Sequence, residues 1–363
     1  MTSDRLIAIV RCPDCGGVLD RPAAGGQTAP GGAGVTCRGC GRAFAAAGGY
    51  IDLRPLAAFG ETTKYVEEAL HADARHETVS PPLLSAAIRN DMLRAMLAPS
   101  AADRVVDLGC GSGRALVWNG DWGAYRVGVD VSPHFAREAE AGVDLVLGDL
   151  RKLPIASGSF TRAFSLDVAE HLTRESLASM LAEAHRVLAT GGTLFLYTHA
   201  RRNSPLAAGL RFVNWLARGL DRVGLISLNQ ERLRKSDHIN PMADIDDFRR
   251  IAAEAGFRVA RLRYYTPLIG AVVENLVVRL AEGVMARRAA RRLARSGEAE
   301  TAGDAAPLRE ARLEAKRRIE RRGSAYTALR ALTWLMKIDI LLFSRIETGP
   351  FFALLVAEPG PRA

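Results

Sequence analysis

The chain has 363 residues, 48% of them hydrophobic and 25% charged, which is enough for two domains or for one large domain with a small accessory module. The formal net charge of +9 favours an acidic partner such as nucleic acid, an anionic membrane surface or a phosphorylated substrate. The N-terminus has no signal-peptide pattern, and no stretch reaches the roughly 18 consecutive apolar residues of a membrane-spanning helix. We therefore expect a soluble, cytoplasmic protein.

Four of the five cysteines form two CxxC pairs near the N-terminus, and each pair is followed by glycine. Two such turns supply four thiolates for a tetrahedral Zn²⁺ site, which is closed and therefore structural. We predict a zinc ribbon at residues 1–55 whose ligands are Cys12, Cys15, Cys37 and Cys40. Residues 21–34, rich in Gly, Ala and Pro, would form a hairpin tip. Disulfides are the alternative, which a cytoplasmic location disfavours.

The ribbon continues into the segment GRAFAAAGGYIDL at 41–53. This ending resembles the N-terminal module of ribosomal RNA guanine-N1 methyltransferases, and it is also similar to ribbons attached to many other bacterial methyltransferases. The resemblance covers only the ribbon and does not determine a substrate.

After a predicted helix at 83–97, the segment VVDLGCGSG at 105–113 indicates a strand followed by a glycine-rich turn. Its glycine spacing differs from the GxGxxG of dinucleotide-binding folds. Asp107, Gly109, Gly111 and Gly113 instead resemble motif I of class I S-adenosylmethionine (SAM) methyltransferases. The resemblance implies that the glycines lie against the methionine and ribose part of SAM and that Asp107 orients its ammonium group.

Two further predicted strands also end in acids. YRVGVD at 125–130 ends in Asp130, and a carboxylate at that place can accept both ribose hydroxyls, as in dinucleotide-binding folds. VDLVLGD at 143–149 ends in Asp149. The resemblance implies that Asp149 accepts a hydrogen bond from the adenine amino group and that Leu150 packs beside the base. Asp167, at the end of the fourth strand, completes the predicted cofactor set, while the Asp that the family usually has after Phe160 is Thr161 here.

The order of elements predicts an α/β fold, a Rossmann-like class I methyltransferase with a seven-stranded, mostly parallel sheet and helices on both faces. By resemblance, the last strand inserts antiparallel between strands 5 and 6. The ribbon precedes this fold, and helical insertions interrupt it. The predicted domains are the ribbon at 1–55, a linker with N-terminal helices at 56–99, the SAM-binding core at 100–265 with an insertion at 200–243, a basic helical insertion at 266–347, and the last strand and tail at 348–363.

The insertions contain amphipathic and apolar segments, and residues 279–322 carry 13 basic against 7 acidic residues. Two interpretations of residues 266–347 remain open. The apolar segments form a helical cap that packs on itself, or they form a lid that contacts an anionic membrane or lets a hydrophobic acceptor bind.

Methyl transfer in this fold takes place in a crevice at the carboxyl ends of strands 4 and 5. The enzyme aligns the acceptor and, where needed, removes its proton. His171, His199 and His238 are the candidates for a general base, because imidazole titrates near neutrality. His171 and His199 follow those two strands, and His238 belongs to an insertion.

We expect a SAM-dependent methyltransferase that acts on an O, N or C atom of a small or lipid-like acceptor. The alternative is an RNA base methyltransferase, which the ribbon and the basic segment favour. Residues 279–322 nevertheless contain no aromatic residue that could stack on bases. A third hypothesis is a non-catalytic SAM-binding interaction protein.

Overall fold

The computed structural model describes residues 2–21, 34–47, 49–55, 79–201, 205–228, 238–296, 319 and 323–359. Most of the predicted hairpin tip and of the linker after the ribbon lies outside these residues, as does much of the basic segment. A small sheet contains β1 (Leu19–Asp20), β2 (Val35–Cys37) and β3 (Ala43–Phe44). The main sheet contains β4 (Ala46–Ala47), β5 (Tyr50–Asp52), β6 (Arg104–Leu108), β7 (Tyr125–Asp130), β8 (Asp144–Leu147), β9 (Phe160–Leu166), β10 (Leu188–His199), β11 (Phe257–Tyr264) and β12 (Pro350–Ala357).

The strand order of the main sheet is β11-β12-β10-β9-β6-β7-β8-β5-β4. The strands from β5 to β10 pair in parallel, whereas β12 is antiparallel to both β10 and β11. This arrangement confirms the predicted α/β fold class and the predicted antiparallel insertion of the last strand. The predicted number of seven strands was wrong, because β4 and β5 from the N-terminal module extend the sheet to nine. The carboxyl ends of parallel strands all lie at the same edge of a sheet. The residues that follow β6, β7, β9 and β10 therefore meet at that edge.

The main sheet separates two apolar cores, with helices on both faces. Successive residues of β10 illustrate the division, since Leu196 packs into one core and Phe195 into the other. The first core includes side chains from α1 (Asp4–Ile9), α5 (Arg174–Val187) and α7 (Ile245–Glu254). The second core includes side chains from α2 (Ser85–Leu97), α3 (Arg114–Trp118) and α4 (Arg137–Gly142).

The N-terminal module is joined to the main sheet through backbone pairing. Ile51 of β5 pairs with Val146 of β8, so the end of the predicted ribbon adds strands to the central sheet. The cysteine region shares an apolar core with that sheet, because Cys12 and Cys37 are buried in the same cluster as Val146. The cysteine-containing module therefore packs directly on the main sheet.

The insertions form α6 (Ala207–Arg222), α8 (Leu268–Val272), a π-helical turn (Val273–Val278), α9 (Arg279–Ser296) and α10 (Ser324–Phe343). On the inner side of α10, the buried Asp339 accepts hydrogen bonds from the backbone N–H groups of Ile269 (3.0 Å) and Gly270 (2.8 Å) in the first turn of α8. Asp339 interrupts an apolar run of the sequence because it caps this helix.

The outer side of α10 carries large apolar side chains at helical spacing. Trp334, Leu341 and Leu342 are 71%, 80% and 61% exposed. On α6, Phe212 and Trp215 are also exposed and stack on each other. In the described part of the chain, every helix is too short or too polar to span a bilayer.

Thr161 replaces an aspartate that is usual in similar sequences, and its hydroxyl joins two neighbouring strands. It donates to Asp103 Oδ1 at 2.7 Å and accepts from the backbone N–H of Arg104 at 3.0 Å. The threonine therefore ties the start of β9 to the start of β6.

Asp247 links α7 to α5 through two hydrogen bonds from Arg174, at 2.7 and 2.8 Å. These bonds hold the pKa of Asp247 below its ordinary value, so its stabilising effect is present above about pH 4 and is lost as the pH falls further.

We expect Asp247→Ala to lower the free energy of unfolding in urea by about 1–3 kcal/mol near neutral pH, and by less in acid. The neighbouring Asp246, 87% exposed in its side chain, provides the control, because Asp246→Ala should cost less than about 0.5 kcal/mol.

Candidate active site

The turn between β6 and α3 has a left-handed backbone at all three motif glycines, with φ of 82° at Gly109, 53° at Gly111 and 77° at Gly113. A Cβ at Gly109 would lie 2.4 Å from Val168 Cγ2, and one at Gly113 would lie 2.7 Å from the Cβ of Ala139. A Cβ at Gly111 would meet nothing within 4 Å. Two of the glycines therefore permit close packing inside the protein, and the third faces open space that a ligand can enter.

Asp107 precedes this turn and is almost completely buried. Its Oδ1 atom has no hydrogen-bond partner among the described residues. Burial raises the pKa of Asp107 well above its ordinary value, and the charge of the nearby Asp130 adds to the effect. A cationic ligand group beside Asp107 would offset this cost and favour the ionised carboxylate.

The carboxylate of Asp130, at the end of β7, bridges the two loops at the edge of the sheet. Its Oδ2 accepts from the backbone N–H of Gly111 (2.7 Å) and its Oδ1 from that of Ser132 (2.9 Å). Asp130 therefore lies next to Gly111 in the glycine turn.

Asp149 and Leu150 follow β8 at the same edge of the sheet. The carboxylate of Asp149 accepts hydrogen bonds from the backbone N–H of Arg151 at 2.8 Å and from its guanidinium at 2.9–3.1 Å. Leu150 is partly buried against the first apolar core. An adenine amino group at Asp149 would have to share this carboxylate with Arg151.

Asp167 directly follows β9 and has a left-handed backbone, at φ 58°, which is uncommon for a residue other than glycine. The guanidinium of Arg89, on α2, lies 3.1 Å from Asp167 Oδ2 and 5.5 Å from the centre of the Tyr197 ring. Burial alone would lower the pKa of Arg89, but Asp167 reverses the effect and raises it. Sequence reasoning missed Arg89, because this pair joins positions 78 residues apart and no local motif marks it.

Glu170 lies in a 3₁₀ turn (Ala169–His171) after β9 and is only 1% exposed. Its Oε2 accepts from the Thr198 hydroxyl at 3.0 Å, and His199 Nδ1 lies 3.3 Å from its Oε1. Burial alone would raise the pKa of Glu170, but His199, a backbone N–H group and His171 together outweigh burial and hold the pKa below its ordinary value.

The three candidate histidines come together in the structure. The rings of His171 and His238 are 4.6 Å apart and nearly perpendicular, and those of His199 and His238 are 6.1 Å apart. The loop that carries His238 is held by Glu170, whose backbone oxygen accepts from the N–H groups of Ile239 (2.8 Å) and Asn240 (2.9 Å). The crevice after β9 and β10 thus contains a buried carboxylate and three imidazoles.

The four ribbon cysteines form a second cluster. The Sγ atoms of Cys12 and Cys40 are 3.7 Å apart, those of Cys15 and Cys37 are 3.4 Å apart, and all four lie within 4.8 Å of one another. A hydrogen bond from the backbone N–H of Cys40 is the main reason that the pKa of Cys37 is lowered to about 7. A Cβ at Gly17 would lie 2.8 Å from the sulfur of Cys37, so glycine is required for this close approach. Four converging thiols with backbone donors fit a tetrahedral metal ion.

Comparison with known proteins finds a family similar to part of this chain. Residues 106–196 match the family model described as a methyltransferase domain. An uncharacterized methyltransferase of Synechocystis sp. is 35% identical over 103 residues, which are 28% of this chain and 49% of that protein. The 18S rRNA (guanine-N(7))-methyltransferase of Bos taurus is 29% identical over 115 residues, which are 28% of this chain and 41% of that protein.

The chain spans about half the length, or less, of these curated relatives. Among solved structures, a phosphoethanolamine N-methyltransferase of Haemonchus contortus in complex with SAM is 15% identical, with a TM-score of 0.44. The match covers 82% of this chain and 58% of that chain.

The close packing of the glycine turn affects the stability of the protein. Alanine at either Gly109 or Gly111 meets backbone strain of about 1–2 kcal/mol, since both have positive φ. Gly109→Ala must also displace Val168, so we expect it to lower the free energy of unfolding by at least about 1 kcal/mol more than Gly111→Ala. Urea unfolding of both variants measures the difference. Equal losses would contradict the packing role of Gly109.

Proposed function

We propose that the chain is a SAM-dependent methyltransferase and that SAM lies across the carboxyl ends of β6, β7 and β8. The observation that carries the proposal is the buried Oδ1 of Asp107, which has no hydrogen-bond partner among the described residues and which precedes the open turn at Gly111 within residues 106–196. A buried carboxylate without a partner is costly, and an ammonium group would stabilise it.

In this proposal, Asp107 orients the ammonium group, and the backbone at Gly109, Gly111 and Gly113 lies against the amino-acid and ribose part of SAM. Asp130 accepts from the ribose hydroxyls. Asp149, Leu150 and Asp167 complete the cofactor set, with Asp149 towards the adenine and Asp167 at the methyl-bearing side of the crevice. SAM supplies a methyl group activated by positive sulfur, and the chain supplies alignment and proton removal.

We assign proton removal to the crevice after β9 and β10 that contains His171, His199 and His238, which we call the histidine crevice. His199 is the best placed of the three candidates, because the buried carboxylate of Glu170 lies beside its Nδ1 and stabilises the charge that His199 would gain. His171 and His238 contact each other at the same crevice and remain candidates. Arg89, paired with Asp167, would orient the acceptor from the side of α2.

We propose a small or lipid-like acceptor. The support comes from the exposed apolar residues of α10 and α6, which lie on the insertions next to the catalytic core. An apolar helix face with Arg and Lys nearby is typical of peripheral contact with an anionic membrane. On α10, Lys337 is in the same stretch as Trp334 and Leu341.

An RNA acceptor is the second candidate. The Bos taurus relative is an rRNA methyltransferase, and α9 exposes the basic residues Arg287, Arg288 and Arg291. A basic surface of this kind attracts phosphate and predicts salt-dependent binding.

We also propose that the four ribbon cysteines hold a structural Zn²⁺ ion, which would stabilise a module too small to fold on its own core.

Calorimetric titration with SAM tests the cofactor site. We expect Asp130→Ala to weaken SAM binding by about 10- to 100-fold, because it removes a charged hydrogen-bond acceptor. We also expect affinity to fall as the pH is lowered towards the raised pKa of Asp107 in the SAM-free protein, because protonation of Asp107 removes the charge that attracts the ammonium group. Asp107→Asn should bind weakly at every pH. Asp121→Ala, which changes an exposed acid beyond the site, is the matched control.

Well-folded wild-type protein that does not bind SAM would refute the cofactor assignment. Thermal unfolding of each variant without SAM shows whether a loss of affinity reflects the site or the fold.

Incubation of the protein with a cell extract and SAM labelled in the methyl group tests the acceptor. We expect label in the lipid or small-molecule fraction, and we expect Leu341→Ser/Leu342→Ser to reduce lipid labelling at least twofold without changing SAM affinity. Val18→Ser, which changes an exposed apolar residue of the ribbon, is the control. Label in RNA would support the second candidate. SAM binding without label in any fraction would support a non-catalytic interaction protein.

A further inference from the structure

The histidine crevice has a composition that proton removal alone does not require. One ligand atom each from Glu170, His171 and His238 lies within 4.8 Å of the other two. Glu170 is 1% exposed, and glutamate is rarely buried to this degree unless a cation or several donors compensate its charge.

The fold holds these three side chains together through backbone contacts. Glu170 and His171 share the 3₁₀ turn after β9, so their relative position is set by the end of the central sheet. His238 comes from an insertion 67 residues later in the chain, and the two residues after it donate their N–H groups to the Glu170 carbonyl oxygen. The same residue thus supplies a carboxylate to the cluster and anchors the loop that brings the second imidazole.

We propose that Glu170, His171 and His238 bind one divalent first-row transition-metal ion. Two imidazoles and one carboxylate form a donor set that suits zinc, iron and cobalt better than magnesium or calcium. Ligand atoms around a tetrahedral ion with bonds of about 2.1 Å are about 3.4 Å apart, so separations of up to 4.8 Å close by movements of roughly 1 Å.

Neighbouring groups hold the carboxylate in position for this role. The Thr198 hydroxyl donates to Oε2 of Glu170, and His199 lies beside Oε1. A hydrogen bond such as that from Thr198 to a ligating carboxylate fixes its orientation and increases metal affinity. The site is separate from the four thiols of the ribbon, because it is built from the catalytic sheet and an insertion.

Three protein ligands leave at least one coordination position for an oxygen of another molecule. The role of that position rests on the proposed function: the ion would hold a hydroxyl, carboxylate or phosphate oxygen of the methyl acceptor next to the cofactor crevice. Metal binding itself needs neither SAM nor turnover, so it can be measured independently of the methyltransferase assignment.

The test is a titration of the full-length protein with Co²⁺ after one equivalent of Zn²⁺ has filled the ribbon. Visible absorption reports Co²⁺ bound by nitrogen and oxygen, and strong thiolate charge-transfer bands report Co²⁺ in the ribbon. We expect one further equivalent of Co²⁺ without thiolate bands. His238→Gln and His171→Gln should each weaken it by at least about 10-fold.

Both histidines are only partly buried, so these substitutions should leave the fold intact, and a SAM titration of each variant checks this. His185→Gln is the matched control, since His185 packs against Phe257 away from the cluster and should leave Co²⁺ affinity unchanged. The proposal is overturned if zinc-loaded protein binds no further Co²⁺, if the added Co²⁺ shows thiolate bands, or if both histidine variants bind it as the wild type does. Wild-type protein that binds Co²⁺ but not SAM would refute the proposed function and leave the metal site intact.

Discussion

The backbone path through Gly109, Gly111 and Gly113 is the constraint on which the candidate site depends. Gly109 packs against Val168, at the end of β9, and Gly113 packs against Ala139 of α4. The N–H of Gly111 meets the carboxylate that ends β7. One turn therefore sets the distances between three elements, and side chains at Gly109 and Gly113 would push those elements apart. The crevice is a consequence of this close packing as much as of the residues that line it.

The buried carboxylate of Glu170 is the second organising group. Its side chain is stabilised by Thr198 and His199, and its backbone oxygen holds residues 239 and 240. A buried carboxylate without compensating neighbours would destabilise the folded protein, so its neighbours must be cations or hydrogen-bond donors. The crevice is therefore polar and preorganised on the side of β9 and β10, whereas Arg89 and the aromatic ring of Tyr197 line the side towards α2.

The sequence predicted what short-range patterns encode. Strands β6, β7 and β8 follow from apolar runs that end in acids or glycines, and their predicted bounds differ from the structure by at most two residues. The pairing of β5 with β8 was not predicted, because a strand of three residues has no periodicity and its partner lies nearly a hundred residues later. The three histidines were identified singly from strand ends and a loop. Their assembly around Glu170 depends on backbone contacts between distant segments, for which one sequence carries no signal.

The insertions are coupled to the crevice through α2. Thr333 of α10 accepts the backbone N–H of Leu84 at 2.8 Å, and Glu274, in the π-helical turn, accepts that of Ser85 at 3.1 Å. These contacts fix the start of α2, which carries Arg89 to Asp167 one turn further on. The inner face of α10 therefore positions a helix of the site, while its outer face leaves Trp334, Leu341 and Leu342 in solvent. The cap and the lid, which the sequence presented as alternatives, are thus compatible as two faces of one helix.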